Sequence, residues 1–272
     1  MTMAQVAFVN RQTAGAKGLR LSLLGDFSLL ATGVERPMAA GSRRLIVLLA
    51  LMGQRMRRQA VAGTLWPDAD DARACASLRS ALLRLGHSGG QLLRVNGTTL
   101  SLDPGVRVDL REAQAEARRL LADEAPLSPA DRRGDTAGLL SLELLPGWYD
   151  DWVLIEVEAW RQLRLHAIEA LSVRLTAAGC HAAAILAALA AVSADPFRES
   201  ARCVLIRGYL AEGNRSDALR EFGRYRRLLQ GSLGVEPSPR LRALAGAAIT
   251  QQPSHGRMAR FSGDATRNRS AC

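Results

Sequence analysis

The stretch Asp71–Leu85, DARACASLRSALLRL, has the composition and pattern of a single helix of about four turns. Ala, Leu and Arg favour helix, no Gly or Pro interrupts the stretch, and Asp71 is placed to cap the N-terminus. Apolar residues recur at three- and four-residue spacing, which predicts one buried stripe. The stripe consists of Ala74, Leu78, Ala81 with Leu82, and Leu85.

The opposite face of this helix carries cations and hydroxyls but, beyond the cap, no carboxylate. Its residues are Arg73, Ser77, Ser80 and Arg84, with Arg79 at the edge. Solvated helix faces usually mix acids with bases, so this composition favours contact with a polyanion. An ordinary amphipathic helix with an arginine-rich outer face would show the same pattern, and the helix alone does not decide between the two.

The segments before this helix predict two strands and two further helices. Leu19–Leu30 alternates in places around Gly25-Asp26, which is typical of two short strands joined by a turn. Ser42–Gly53 predicts a helix, with Ser42 as its N-terminal cap and Gly53 at its C-terminal end. Gln59–Trp66 predicts a shorter second helix, which the following proline stops.

The segment after the helix predicts a β-hairpin. Asn96-Gly97 separates two β-rich runs, which is the strongest short-range signal for a type I′ turn. Strands, three helices and a hairpin in this order are typical of a winged helix. In that architecture the third helix enters the major groove of DNA, and the hairpin lies along the neighbouring backbone or minor groove.

A winged helix predicts two sets of DNA contacts. The outer face of the third helix would read bases, with arginine to guanine as the main specific contact. Phosphates would be bound by basic side chains on the first helix and by polar side chains on the hairpin, and these contacts would set the register of the protein on DNA. The basic side chains in the first turn of the first helix are unfavourable to its dipole, which an anion nearby would explain. The base-reading set is Arg73, Ser77, Arg79, Ser80 and Arg84, and the phosphate-binding set is Arg43, Arg44, Arg94 and Thr98.

The net charge is concentrated in the N-terminal third of the chain. The 272 residues carry a formal charge of +10. Residues 1–110 contain 14 Lys and Arg against 7 Asp and Glu, whereas residues 111–250 contain 18 of each. This division predicts that the first part meets nucleic acid and that the remainder has another task. The excess of arginine over lysine suits phosphate and guanine recognition, although codon usage in a GC-rich genome also produces it.

The second part of the chain predicts a helical domain. Val108–Ala122 predicts a helix, residues 123–137 a mobile loop, and Leu139–Leu145 a short apolar segment. Asp151–Ala178 predicts one long helix that ends at the following glycine, and a last helix runs from Ser238 to Ile249.

An internal repeat lies within this domain. Gly179 and Gly213 are 34 residues apart, as are Ala184 and Ala218, and each glycine closes one helix before another starts. A helix–turn–helix period of 34 residues is the tetratricopeptide spacing. Such units stack into a curved array whose concave face binds peptides or proteins.

The sequence contains no metal-ligand spacing and no nucleotide-binding motif. The four cysteines have neither CxxC pairing nor zinc-ligand spacing, and no P-loop motif occurs. Asp150-Asp151 could form paired acids, but Asp151 stands where a helix cap belongs. We therefore expect a protein that is not an enzyme and needs no cofactor or metal. Without a transmembrane run or signal peptide, we expect it in the cytoplasm and not in a membrane.

Several stretches, in order, resemble a known family of regulators. LRLSLLGDFSLL, SRRLIVLLALMGQRMRRQAVAGTLWPD, ARACASLRSALLRL and LLRVNGTTLSLDPGVRVD resemble the OmpR-type winged helix at the front of SARP-type transcriptional regulators. The bacterial transcriptional activator domain of that family is similar to LLPGWYDDWVLIEVEAWRQLRLHAIEAL, ADPFRESARCVLIRGYLAEGNRSDALREFGRYRRLL and LGVEPSPRLRAL. The resemblance covers residues 19–250.

The resemblance implies a fold and a function. The fold is mainly α, with a winged helix-turn-helix and small β elements followed by an all-α tetratricopeptide-like domain. The implied function is activation of transcription. A pair of protomers, a homodimer on double-stranded DNA, would bind direct repeats in promoters and recruit the RNA polymerase holoenzyme. The chain departs from the family pattern at Ala76 and Gly86, where polar or basic residues are usual.

The sequence predicts four segments: an arm over residues 1–17, a winged helix over 18–107, a helical domain over 108–250 and a basic tail over 251–272. A second hypothesis remains open, in which the helical repeats are a protein-interaction module and the winged helix has little or no sequence-specific DNA binding. Ala76 and Gly86 are its main support.

Overall fold

The computed structural model describes residues 18–122 and 126–250. The arm and the tail predicted for residues 1–17 and 251–272 lie outside this part of the chain. The first sheet has the strand order β3-β2-β1-β7. Its antiparallel strands are β1 (Leu19–Ser22), β2 (Ser28–Ala31) and β3 (Val34–Glu35), and β7 (Arg107–Val108) joins β1 in parallel.

Three helices and a second sheet follow the first three strands. The helices are α1 (Ala40–Met52), α2 (Arg58–Leu65) and α3 (Asp71–Leu92). The second sheet has the order β4-β6-β5, with β4 (Met56–Arg57), β5 (Leu93–Asn96) and β6 (Thr99–Leu102). The predicted hairpin is confirmed, but the predicted type I′ turn at Asn96-Gly97 is wrong. Asn96 lies opposite Thr99, so the turn residues are Gly97 and Thr98, and Gly97 alone of the two has a positive φ, at +56°.

The caps of α1 and α3 differ from the sequence-based expectation. Asp70, not Asp71, caps α3, because its Oδ1 accepts a hydrogen bond from the amide of Arg73 at 2.8 Å. Ser42 was expected to cap α1, but it lies inside that helix, and its buried hydroxyl donates to the carbonyl of Ala81 on α3 at 2.8 Å. This bond ties α1 to α3.

The helical domain contains eight helices within the described residues. They are α4 (Asp109–Leu121), α5 (Pro129–Arg133), α6 (Asp135–Leu140), α7 (Asp151–Ala177), α8 (His181–Ala194), α9 (Glu199–Glu212), α10 (Arg215–Leu233) and α11 (Pro239–Thr250). Gly179 and Gly213 both follow a helix with positive φ, at +74° and +91°, so the predicted helix ends of the repeat are confirmed. The cap predicted at Asp151 is wrong, because Asp151 is the first residue of α7 and the N-cap residue is Asp150, whose side chain makes no capping hydrogen bond.

The prediction of a mobile loop over residues 123–137 is wrong in its described part. The short helices α5 and α6 occupy it, around the fully buried carboxyl of Asp131. Burial acts to raise the pKa of this carboxyl, but hydrogen bonds outweigh burial and hold the pKa below its usual value. The donors are the Thr136 hydroxyl, the Ser128 amide and the Arg119 guanidinium.

The winged helix and the helical domain meet at Asp109, where the chain passes from β7 into α4. The buried carboxylate of Asp109 accepts hydrogen bonds from the amides of Leu23, Leu24 and Leu110, at 2.8, 3.2 and 2.7 Å. Burial raises the pKa of this carboxyl to about 6, although these bonds and the charge of Arg20 act to lower it.

A second contact extends this junction. The amide of Gly25 donates to the carbonyl of Glu143 at 2.7 Å, and the amide of Leu145 donates to the carbonyl of Leu23 at 2.9 Å. Between these bonds, Leu24 pairs with Leu144 as an antiparallel bridge. One hydrophobic core continues across the predicted boundary at residues 107 and 108, from β1 to α9.

We expect the pH dependence of stability to report the Asp109 carboxyl. Because the carboxyl binds its proton more tightly in the folded chain, near pH 6, than in the unfolded chain, near 3.8, this group destabilises the fold as pH rises from about 4 to 6. Urea titrations give the unfolding free energy of the wild type and of Asp109→Asn at each pH. Between pH 4 and pH 6, the unfolding free energy of the wild type should fall by roughly 3 kcal/mol relative to that of Asp109→Asn. A difference that does not change with pH would contradict this assignment.

Candidate nucleic-acid interface

Helix α3 packs one face against α1 and α2 and leaves the other free. Ala74 and Leu78 are each 2% exposed, and Ala81 and Leu85 are also buried. The predicted buried stripe is therefore confirmed. The regular geometry of α3 breaks at Gly86, whose φ of 51° and ψ of −140° are not helical. The first segment of the helix consequently ends at Leu85.

The glycine at position 86 is explained by the backbone. A Cβ atom built at Gly86 would have no neighbouring heavy atom within 4 Å, so crowding at the Cβ position does not require the glycine. A φ of 51° with this ψ is a conformation that glycine adopts readily and other residues avoid. The departure from the family pattern at this position thus sets the length of the exposed helix face.

The exposed face of α3 is mixed in chemistry. Arg73, Arg79, Ser80 and Arg84 are exposed, whereas Ser77 is half-buried. Ala76 and Leu83 occupy the side farthest from the buried stripe, and Leu83 is 80% exposed. Sequence reasoning missed Leu83, although its helical position opposite the Ala74–Leu85 stripe was a signal that could have found it.

Among the residues that the structure describes, two of the predicted base-reading arginines have no partner. In residues 18–122 and 126–250, no hydrogen bond or ion pair engages the side chain of Arg79 or Arg84. Arg73 pairs with Asp70 at 3.4 Å, but its side chain is 83% exposed. An exposed pair of this kind contributes little stability and exchanges readily for another anion.

The hairpin presents Thr98 at its tip and Arg94 on β5, both exposed. Arg94 Nε donates to Asp103 at 2.9 Å. Strand β4 lies alongside, since Arg57 is opposite Thr99 and the amide of Arg58 donates to the carbonyl of Thr98 at 2.8 Å. Arg57 is thereby placed on the same sheet as the hairpin.

Arg55 and Arg57 are cations that sequence reasoning did not assign to the interface. Both are exposed. Within the described chain, no acidic side chain pairs with either of them. The cluster of arginines at positions 55, 57 and 58 was visible in the sequence, but only the pairing of β4 with β6 places it beside the hairpin.

Arg43 and Arg44, two of the predicted phosphate-binding residues, have partners within the protein. The guanidinium of Arg43 lies over the ring of Phe27, 5.6 Å from its centre. Arg44 Nη2 bonds to Asp150 Oδ1 at 2.5 Å, and both side chains are about one-third exposed or less. Arg43 thus contacts the residue before β2, and Arg44 contacts the residue before α7, so their predicted phosphate binding stays a prediction.

In the described residues, no group of three His, Cys, Asp or Glu side chains has an arrangement that could hold a metal ion. None of the described helices has both the length and the apolar character needed to cross a membrane.

Comparison with known proteins identifies the family. The model of the bacterial transcriptional activator domain matches residues 108–248. The chain therefore belongs to this family, and the resemblance to SARP-type regulators is confirmed.

Among its relatives, the chain is 30% identical to Regulatory protein AfsR of Streptomyces griseus, over 85% of this chain and 24% of the relative. It is 29% identical to Regulatory protein AfsR of Streptomyces coelicolor, over 87% of this chain and 25% of the relative. It is 24% identical to Transcriptional regulatory protein EmbR of Mycobacterium tuberculosis, over 87% of this chain and 65% of the relative. The chain thus spans about a quarter of the AfsR proteins and less than two-thirds of EmbR.

A solved structure shares the fold. Mycobacterium tuberculosis EmbR, in complex with a low-affinity phosphopeptide, superimposes with a TM-score of 0.67 at 24% identity, over 88% of this chain and 66% of that chain. The predicted fold class, a winged helix followed by a helical domain, is confirmed.

We expect Arg44→Ala to lower stability without changing DNA binding. The substitution removes a half-buried ion pair between α1 and the start of α7, which should reduce the unfolding free energy by about 1 kcal/mol. Urea titrations of Arg44→Ala, Asp150→Ala and the double variant should show coupling between the two residues. If Arg44 instead binds a phosphate, the slope of log affinity against log salt would fall by about one.

Proposed function

We propose that this chain is a sequence-specific DNA-binding regulator of transcription, and that it binds double-stranded promoter DNA through α3 and the β5–β6 hairpin. The observation that carries the proposal is the exposed face of α3, on which Arg79 and Arg84 have no partner within the described residues. Unpaired guanidinium groups beside an exposed hydroxyl suit the acceptor-rich edges of bases in the major groove.

The base-reading role falls to the side chains on this face. The exposure of Arg79, Ser80 and Arg84 supports direct base contacts, and Arg73 would contact a base after exchanging Asp70 for DNA. Arginine donates two hydrogen bonds to guanine O6 and N7, a contact worth roughly 1–3 kcal/mol of discrimination. Ser77 is half-buried and lies at the margin of the face, where its predicted base contact stays a prediction.

The phosphate-binding role falls to the hairpin and to β4. Thr98 and Arg94 retain the predicted role, and we add Arg55 and Arg57 because they are exposed beside the hairpin. Contacts of this kind fix the orientation of a protein on DNA without reading its sequence. Arg94 must exchange its bond to Asp103 for one to phosphate.

The helical domain would connect DNA binding to the transcription machinery. The relatives are named as regulatory and transcriptional regulatory proteins, and the family description is that of a transcriptional activator domain. We infer that two protomers bind adjacent direct repeats and that the helical domain contacts the RNA polymerase holoenzyme. Because one hydrophobic core continues through both units, binding of the winged helix to DNA would also fix the orientation of the helical domain relative to the DNA.

A second candidate is a protein-interaction module with weak DNA binding. Ala76 and Leu83 favour it, because they place apolar surface at the centre of the exposed face of α3, and polar or basic residues are usual in the family near Ala76. Affinity for random duplex DNA distinguishes the two, since a DNA-binding winged helix predicts a steep loss of affinity with salt.

We expect Arg84→Ala and Arg57→Ala to affect DNA binding differently. The specific site is first identified by selecting, from a pool of random duplexes, those that the purified chain binds. Arg84→Ala should weaken binding to this site about 10- to 100-fold and binding to random duplex much less, because a base contact is lost. Arg57→Ala should weaken both alike and reduce the salt slope by about one.

Arg227→Ala is the matched control, because this exposed arginine lies on α10 in the helical domain. Its removal lowers the net charge equally but should leave both affinities unchanged at physiological salt. Equal effects of Arg84→Ala and Arg57→Ala on the specific site and on random duplex would contradict the division of roles.

A further inference from the structure

Leu83 is a large apolar side chain in an unusual place. It is 80% exposed, and on α3 it lies three residues after Ser80 and four after Arg79, so all three share one side of the helix. Ala76 precedes it by two turns and is also exposed. The center of the exposed face is therefore an apolar strip, flanked by hydroxyl and guanidinium groups.

Packing within the chain does not explain Leu83. It belongs to none of the hydrophobic clusters formed by the described residues. Its helix is already anchored by Ala74, Leu78, Ala81 and Leu85 on the other side. A leucine left in water gains free energy when a partner covers it. The surrounding cations restrict that partner to a surface that combines an apolar group with negative charge.

We propose that Leu83 is a specificity-determining residue that contacts the 5-methyl group of thymine in the major groove. The inference rests on the proposed DNA-binding function. Thymine is the base that presents an apolar group in this groove, and its neighbours on the DNA surface are acceptor edges and phosphates. The flanking arginines suit those acceptors, and the small side chain of Ala76 lets the helix approach the base edges closely.

The spacing on the helix limits where the thymine lies. Arg79 and Leu83 are four residues apart, which is about 6 Å along the helix axis. This distance corresponds to about two base-pair steps of DNA. The selected site should therefore contain a thymine within about two base pairs of the guanine that Arg79 or Arg84 reads.

Replacing thymine by deoxyuridine removes the methyl group alone and tests this contact. Each thymine of the selected duplex is replaced singly, and the affinity of the full chain is measured by fluorescence anisotropy at one salt concentration. We expect one or two positions at which the replacement weakens wild-type binding about three- to fivefold, as loss of one methyl contact implies. In Leu83→Ala, the same replacement should have no effect.

Two variants control this measurement. Leu83→Met keeps an apolar side chain of similar length and should retain the sensitivity to deoxyuridine. Leu186→Ala removes a leucine that is 66% exposed on α8 and should bind both duplexes as the wild type does.

Three outcomes would overturn the inference. If Leu83→Ala keeps the full sensitivity to deoxyuridine, or if no thymine is sensitive in the wild type, the methyl contact does not exist while DNA binding stands. If the chain selects no sequence from the random pool, the proposed function fails and this inference fails with it.

Discussion

The buried carboxylate of Asp109 holds the two parts of the molecule together. Without it, the amides of Leu23 and Leu24 would lose their acceptor at a position closed to water, which costs roughly 1–3 kcal/mol for each group. The same carboxylate receives the amide of Leu110, at the start of α4. One side chain thus accepts hydrogen bonds both from the backbone amides that follow β1 and from the first turn of the helical domain.

Side chains of α7 support the second contact of the junction. Trp160 Nε1 donates to the carbonyl of Leu142 at 3.0 Å. Arg164 is 3% exposed and directs Nη1 to the carbonyls of Leu140 and Ser141, at the C-terminal end of α6. A buried cation suits this place because a helix C-terminus carries partial negative charge. The segment that touches β1 is consequently held in place, and α3 faces outward from a single packed unit.

The sequence predicted what local patterns control. The stripe from Ala74 to Leu85, the turn at Gly97 and the helix ends at Gly179 and Gly213 follow from periodicity and backbone preference. Long-range pairings could not be predicted from local patterns. Arg44 forms an ion pair with Asp150, which is 106 residues away in the sequence. Arg57 lies beside the hairpin only because β4 pairs with β6. The sequence pattern therefore identified the helix that we propose to contact DNA, but not all the exposed cations beside it.

Amide hydrogen exchange of the full chain, with and without its selected duplex, tests most directly whether α3 is the DNA-binding element. We expect exchange to slow in the peptides that cover Asp71–Leu85 and the β5–β6 hairpin, and to stay unchanged in α8–α10. Slower exchange in α8–α10 with α3 unaffected would contradict the proposed interface and would assign the contact with DNA to the helical domain.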